Sequence, residues 1–305
     1  MMRTPETAST PWQRGPFREL QRGLMFGTMY EDSSIELRAF KPRSRVFCIA
    51  SAGCTARALA AAGHEVTAVD ISSLQLAYAK SRAEGEPPQM GKVERLMALG
   101  REFEILAGWT RRKLADFLDL SDPVEQLEYW DHRLDTCIWR VALDTLLTPR
   151  LLGLCYSSPF IESLPRDFGS KLRHRLRRGW ARHSNRDNPY AASLLLGAPP
   201  VDPGTPETPI NFVCADAVAF LEGCMAAGFD AFALSNIGDG APSGYLRRLR
   251  AAIEHAAAPG AIVVIRSFAE PSDSTISNCA ALDRSLLWGV VEVNRMEGGK
   301  LCSIC

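Results

Sequence analysis

Residues 45–70 read RVFCIASAGCTARALAAAGHEVTAVD. Val46 to Ala50 is an apolar run of buried-strand length. Ser51-Ala52-Gly53-Cys54 is a turn of small residues, where bare backbone can lie against a ligand. Thr55 to Ala62, rich in Ala and Leu, predicts a helix that stops at Gly63. Val66 to Val69 is a second strand-length run, and it ends on Asp70. Strand, small-residue turn, helix, strand, acid is the opening unit of a dinucleotide- or nucleoside-binding α/β fold. There the first turn meets the ligand backbone to backbone, and the acid accepts hydrogen bonds from ribose hydroxyls.

Working outward, SSLQLAYAKSRAEG predicts a helix capped by Ser72 or Ser73 and stopped at Gly85. The rhythm then ceases until Thr208, so residues 86–208 are expected to form a largely helical insertion. It resumes with strands at Phe212–Cys214, Phe229–Leu234 and Ala261–Ile265, with helices between them. The apolar run Leu286–Val293 is expected to complete the sheet as an edge pair. The fold class is therefore α/β, a doubly wound Rossmann-like sheet of five parallel strands, with residues 17–85 and 209–305 as its core. Upstream, Phe17 to Phe40 predicts helix, turn near Gly27, and helix, with Ser33 and Ser34 as caps. Residues 1–16, polar and Pro-containing, are expected to be a flexible arm and not a signal peptide.

Composition narrows the function. The 305 residues carry 35 Lys+Arg and 35 Asp+Glu, a formal net charge of zero, so no global field recruits nucleic acid. Nine Cys, an odd number without a secretory leader, read as reduced thiols in the cytoplasm. No run approaches the roughly 18 apolar residues that span a bilayer. The five His do not fall at metal-ligand spacing, so no metal is expected. Within the insertion, seven carboxylates lie between Asp116 and Asp135, and one Lys, six Arg and two His between Lys171 and Arg186. These blocks are expected to face each other or to cover opposite sides. Leu172, Leu176 and Trp180 form a stripe that suits docking on the acidic segment, or alternatively a membrane interface.

In a parallel sheet the ligand lies across the C-terminal strand ends, which here carry Ser51, Gly53, Asp70, Asp216, Ser235 to Asp239 and Arg266. Neither G-x-G-x-x-G nor G-x-x-x-x-G-K-[ST] is present, which disfavours a diphosphate cofactor. A nucleoside with a short polar tail fits better, with Asp70 on the ribose. Asp216 reads either as an N-cap before Ala217 or as a partner of an adenine amine. Arg266 is a candidate partner for a ligand carboxylate. Tyr30, Tyr190, Trp130 and Tyr156 are candidate aromatic faces for a cation. Asn188, Asn236 and Asp239 are candidates to orient a nucleophile or a ligand tail, and Tyr30-Glu31-Asp32 is a candidate closing segment.

FGTMYED, RVFCIASAGCTARALAAAGHEVTAVDIS, NPYAASLLLG, FDAFALSNIGD and ALDRSLLWG together resemble successive blocks of the betaine-lipid synthase family. Its first-half enzyme moves a 3-amino-3-carboxypropyl group from S-adenosylmethionine to diacylglycerol on a class I methyltransferase-like core. The resemblance implies that Ser51, Gly53, Asp70 and Asp216 hold S-adenosylmethionine, with Tyr30, Glu31 and Asp32 near its amino-acid tail. The chain is shorter than the lipid enzymes, and SNIGDG carries no aromatic. These departures point to a small-molecule acceptor, or to the substrate's own amine with formation of azetidine-2-carboxylate. The alternatives are transfer to diacylglycerol, ordinary methyl transfer, and a nucleoside-binding regulator without turnover. A membrane surface enters as partner only with a lipid acceptor, and the sequence carries no signal of oligomeric state.

Overall fold

Side-chain alternation along the strands divides the molecule into layers. In β1 (Arg45–Ile49), Val46 and Cys48 point into one buried cluster and Phe47 into another. The first cluster packs α1 (Ser34–Ala39), α2 (Cys54–Ala61) and α3 (Ser73–Ala83) on one face of the sheet. The second packs the opposite face against two later helices. The computed structural model describes residues 23–154, 156–199, 202–204, 206, 208–271, 278–298 and 300–303.

After β2 (Glu65–Asp70) and α3, the chain leaves the sheet for eight further α-helices among the described residues, with a π-helical turn at Trp130–Leu134 among them. They are α4 (Lys92–Leu106), α5 (Arg111–Leu118), α6 (Pro123–Tyr129), α7 (Cys137–Leu146), α8 (Pro149–Leu152), α9 (Ser158–Ser163), α10 (Phe168–Trp180) and α11 (Pro189–Leu196). It returns through β3 (Asn211–Cys214), α12 (Ala217–Glu222), β4 (Phe229–Ala233), α13 (Ser243–Ala256) and β5 (Ala257–Ser267), then closes with β6 (Val290–Glu297) and β7 (Lys300–Ser303). The strand order is β3-β2-β1-β4-β5-β6-β7, a seven-stranded mixed sheet. β1 to β5 are mutually parallel, and β6 and β7 are antiparallel additions. The order reverses between β1 and β4, which opens a crevice at their C-terminal ends.

The α/β class, the five parallel strands and the helical character of 86–208 match expectation. Leu286–Val293 differs: the strand begins only at Val290. Leu286 stands at φ 70° and packs into the core of the helical segment, while Arg175 takes the carbonyl of Leu287. Those residues dock α10 and are unavailable to the sheet.

The expected helix before Gly27 is also absent from residues 23–33, which run as irregular chain. Distant side chains take their amides, so no helical ladder forms. Gln75 Oε1 accepts from Met25 and Phe26, and Glu94 accepts from Gly27 and Thr28. A Cβ at Gly27 would lie 1.8 Å from the carbonyl oxygen of Gln89. Asp32 accepts from the amide of Ser34, whereas Ser33 makes no side-chain cap. Residues 17–22 and the arm 1–16 lie outside the described residues.

The helical segment has its own core, in which Trp109, Phe117, Trp130 and Trp180 are fully buried. The charge blocks face each other. Arg177 pairs with Asp131 at 2.7 Å and Arg186 with Asp119 at 3.2 Å, while Arg173 reaches Asp144, beyond the acidic block, at 2.8 Å. Leu176 and Trp180 point inward, so the stripe they form is a packing face and not a membrane-facing one. Six described cysteines are free, but Cys279 is disulfide-bonded, which corrects the expectation of reduced thiols throughout. No helix of the described residues is long and apolar enough to cross a membrane.

Candidate functional site

A cavity of about 550 Å³ opens over the crevice between β1 and β4 and runs beneath the helical segment. Its sheet end is polar. Ser51 lines it just beyond β1, Asp70 at the end of β2, Asp216 and Ala217 after β3, and Ser235, Asn236 and Asp239 after β4. Tyr30 and Glu31 come from the irregular segment 23–33. The structure brings these nine together around one cavity.

The turn after β1 is shaped by backbone strain at two strand ends. Ser51 adopts φ 44° and Ser235 φ 52°, a left-handed region that costs non-glycine residues of order 1 kcal/mol or more. Each holds its place through a carboxylate. The amides of Ser51 and Ser72 donate to the two oxygens of Asp70 at 3.0 and 2.8 Å, while the Ser235 hydroxyl donates to Glu31. Asp70 keeps lone pairs toward the cavity, and burial pushes its carboxyl up to about 6 against those two amide bonds. Asp216 performs the capping role read from the sequence and lines the cavity as well. Its Oδ1 caps α12 at the amide of Ala219, and its Oδ2 accepts from the Tyr245 hydroxyl at the cavity wall.

Glu31 is the unusual group. It shares a buried cluster with Glu36, Asp32 and Asp283, four carboxylates served by the two guanidinium groups of Arg266 and Arg284. Arg266 gives its Nη1 and Nη2 to Glu36, its Nε to Asp283 at 2.9 Å and a further bond to the Asp32 carbonyl. Arg284 chelates Asp32 at 2.6 and 2.8 Å. Glu31 is left with hydroxyl donors from Ser235 and Thr55 and sits 3.9 Å from Arg266. Burial raises its carboxyl from 4.5 to about 7, with Glu36 and Asp283 adding to the rise and Arg266 and Ser235 opposing it.

Five expected site residues do other work. Arg266 is fully buried and committed to protein carboxylates, so it does not receive a ligand carboxylate. Asp32 is held by Arg284 away from the cavity lining. Gly53, at φ 82°, is needed because a Cβ there would lie 3.2 Å from the backbone of Ala79 on α3, which makes it a packing glycine. Asn188 caps α11 at the amide of Tyr190 and donates to the carbonyl of Arg284. Tyr190 donates its hydroxyl to the Glu31 carbonyl at 2.6 Å, positioning that residue from behind the wall. Among the candidate aromatics, Tyr30 and Tyr156 line the cavity, whereas Trp130 lies in the helical core. Asp239 lines it with its oxygens engaged by Ser267, the Phe268 amide and Asn236, and burial raises its carboxyl.

Sequence reasoning missed Gln75 and the apolar end. Gln75 Nε2 donates to the carbonyls of Phe26 and Ser51, which ties the irregular segment to the turn. Beyond the polar end the cavity is walled by Leu143, Leu147, Leu172, Leu176, Leu195 and Trp139 of the helical segment, with Phe268 just after β5 and Trp288 just before β6. Leucines at helical spacing read equally as core, so no signal separates a chamber wall from packing. No group of His, Cys, Asp and Glu that would hold a metal ion occurs among the described residues. No family model, curated protein or solved structure matches the chain.

Proposed function

We propose that this chain is a transferase that uses S-adenosylmethionine as the donor of a 3-amino-3-carboxypropyl group and passes it to the hydroxyl of an acceptor with a long apolar tail, a diacylglycerol. Parallel strands in the order 3-2-1-4-5, with antiparallel strands added beyond β5, support a Rossmann-like core of the class I methyltransferase kind.

The single observation that carries the reading is the two-ended cavity: acids and strained serines at the strand ends, and a leucine-walled chamber continuous with them. Asp70 would accept from the ribose hydroxyls. Ile49, Val69, Ile71 and Ala217 offer an apolar floor to the base, with Asp216 beside it. Glu31, which has only a share of Arg266 at 3.9 Å, supplies an incompletely compensated negative charge to a ligand that is itself net cationic. The donor supplies an activated carbon–sulfur bond, which breaks as the acceptor oxygen bonds the γ-carbon and the sulfur leaves as methylthioadenosine. Glu31, poised near neutrality, is the group on the cavity wall suited to take the acceptor's proton. The leucine chamber excludes water from the reacting carbon and seats the hydrocarbon.

The chamber is also what favours diacylglycerol over cyclisation by the substrate's own amine, which would need no such space. Mass spectrometry of the nucleoside product tests this. Methylthioadenosine formed only when diacylglycerol is supplied supports the proposal. S-adenosylhomocysteine would mean methyl transfer, and azetidine-2-carboxylate formed without acceptor would mean cyclisation.

A further inference from the structure

Helix α10 presents two different faces. Phe168, Leu172 and Leu176 line the chamber. On its outer side, Lys171, His174, Arg175 and Arg178 line a separate pocket of about 320 Å³ together with Asp167, Ser170 and Glu270. Three permanent cations and a histidine therefore face two carboxylates.

The pairing inside this pocket is incomplete. Arg175 is 3 % exposed, donates to the carbonyls of Leu287 and Phe268 and pairs with Glu270. Its Nε is buried without a hydrogen-bond partner, an uncommon state for a charged donor. Arg178 gives only Nη2, to the Trp288 carbonyl, and neither Arg178 nor Lys171 has a carboxylate partner among the described ion pairs. Burial, together with the field of Arg175, lowers the pKa of Arg178. The other basic side chains of this helix differ: Arg173 and Arg177 are each answered by an aspartate.

We infer that this pocket binds the phosphate group of an anionic ligand, held by Lys171 and Arg178 at its rim, with the buried guanidinium of Arg175 adding positive charge from its wall. Guanidinium and ammonium donors converging on one cavity are the arrangement that phosphate oxygens satisfy best. The inference does not depend on what the main cavity binds. The phosphate belongs either to a soluble phosphate ester or to a lipid headgroup.

The test is titration of the full chain with inorganic phosphate, followed by calorimetry or by chemical-shift changes. Saturable binding is expected, and K171Q/R178Q should weaken it by about tenfold or more, each lost charge-assisted bond being worth that order. K171Q alone, whose side chain makes no hydrogen bond in the structure, controls for folding and should weaken binding in the same direction. A second arm uses vesicles containing phosphatidylglycerol: sedimentation of the protein with them, reversed by free phosphate, assigns the group to a lipid headgroup. Absence of that sedimentation assigns it to a soluble ester. No saturable phosphate binding by the natural protein, or equal binding by both variants, overturns the inference.

Discussion

Replacing Glu31 by Gln should make the protein more stable and less able to bind its cationic ligand. The side chain is buried with three other carboxylates and lacks a guanidinium of its own. Its carboxyl rises from 4.5 to about 7, a difference that corresponds to about 3 kcal/mol against the ionised form. The folded state thus binds this proton more tightly than the unfolded chain. Stability from this group is fully present below the unfolded value and is lost as pH climbs from about 4.5 to about 7. Gln keeps the shape and carries no charge. In urea unfolding at about pH 8, E31Q should exceed the natural protein by about 2–3 kcal/mol, and the gap should shrink toward zero near pH 5. The reverse holds for S-adenosylmethionine. The natural protein should release a proton on binding it below about pH 7, read from calorimetry in buffers of different ionisation enthalpy, and E31Q should bind more weakly without proton release. A variant no more stable than its parent at pH 8, with the same pH slope, would refute the claim that Glu31 holds an unneutralised charge.

Three further outcomes follow from the geometry. D70A removes the acceptor for the Ser51 and Ser72 amides and for the proposed ribose contact, and should weaken S-adenosylmethionine binding by about 10–100-fold in calorimetry. R266M leaves Glu36 and Asp283 buried without their partner and should destabilise the fold by about 3–5 kcal/mol, seen as a large drop in urea midpoint. L172W fills the chamber away from the polar end, so turnover with diacylglycerol should fall while nucleoside affinity stays unchanged; equal losses in both would mean that the two ends are not separable.

Much of the sheet was legible because strand periodicity and glycine stops are local signals. Val46 to Asp70 carries its strand, turn, helix and strand within 25 residues, and the Ser72 and Asp216 caps sit at their expected places. The site was legible where residues follow a strand end, as Ser51, Asp70 and Ser235 do. It was not legible where partners are distant in sequence. Glu31 meets Ser235 across 204 residues and Arg266 meets Glu36 across 230, so nothing near Arg266 shows that its donors are already taken. The segment 23–33 fails as a helix for the same reason, since Gln75 and Glu94 claim its amides. Gly53 reads as a ligand-facing glycine because a small residue after β1 permits close approach; in the structure the element that approaches it is α3.

The most direct measurement follows the carbon itself. S-adenosylmethionine labelled either in its amino-acid chain or in its methyl group is incubated with the protein and diacylglycerol, and the organic phase is counted. The proposal predicts that the chain label enters the lipid phase while the methyl label stays in water with methylthioadenosine. Methyl label in the lipid, or neither label there, would contradict it.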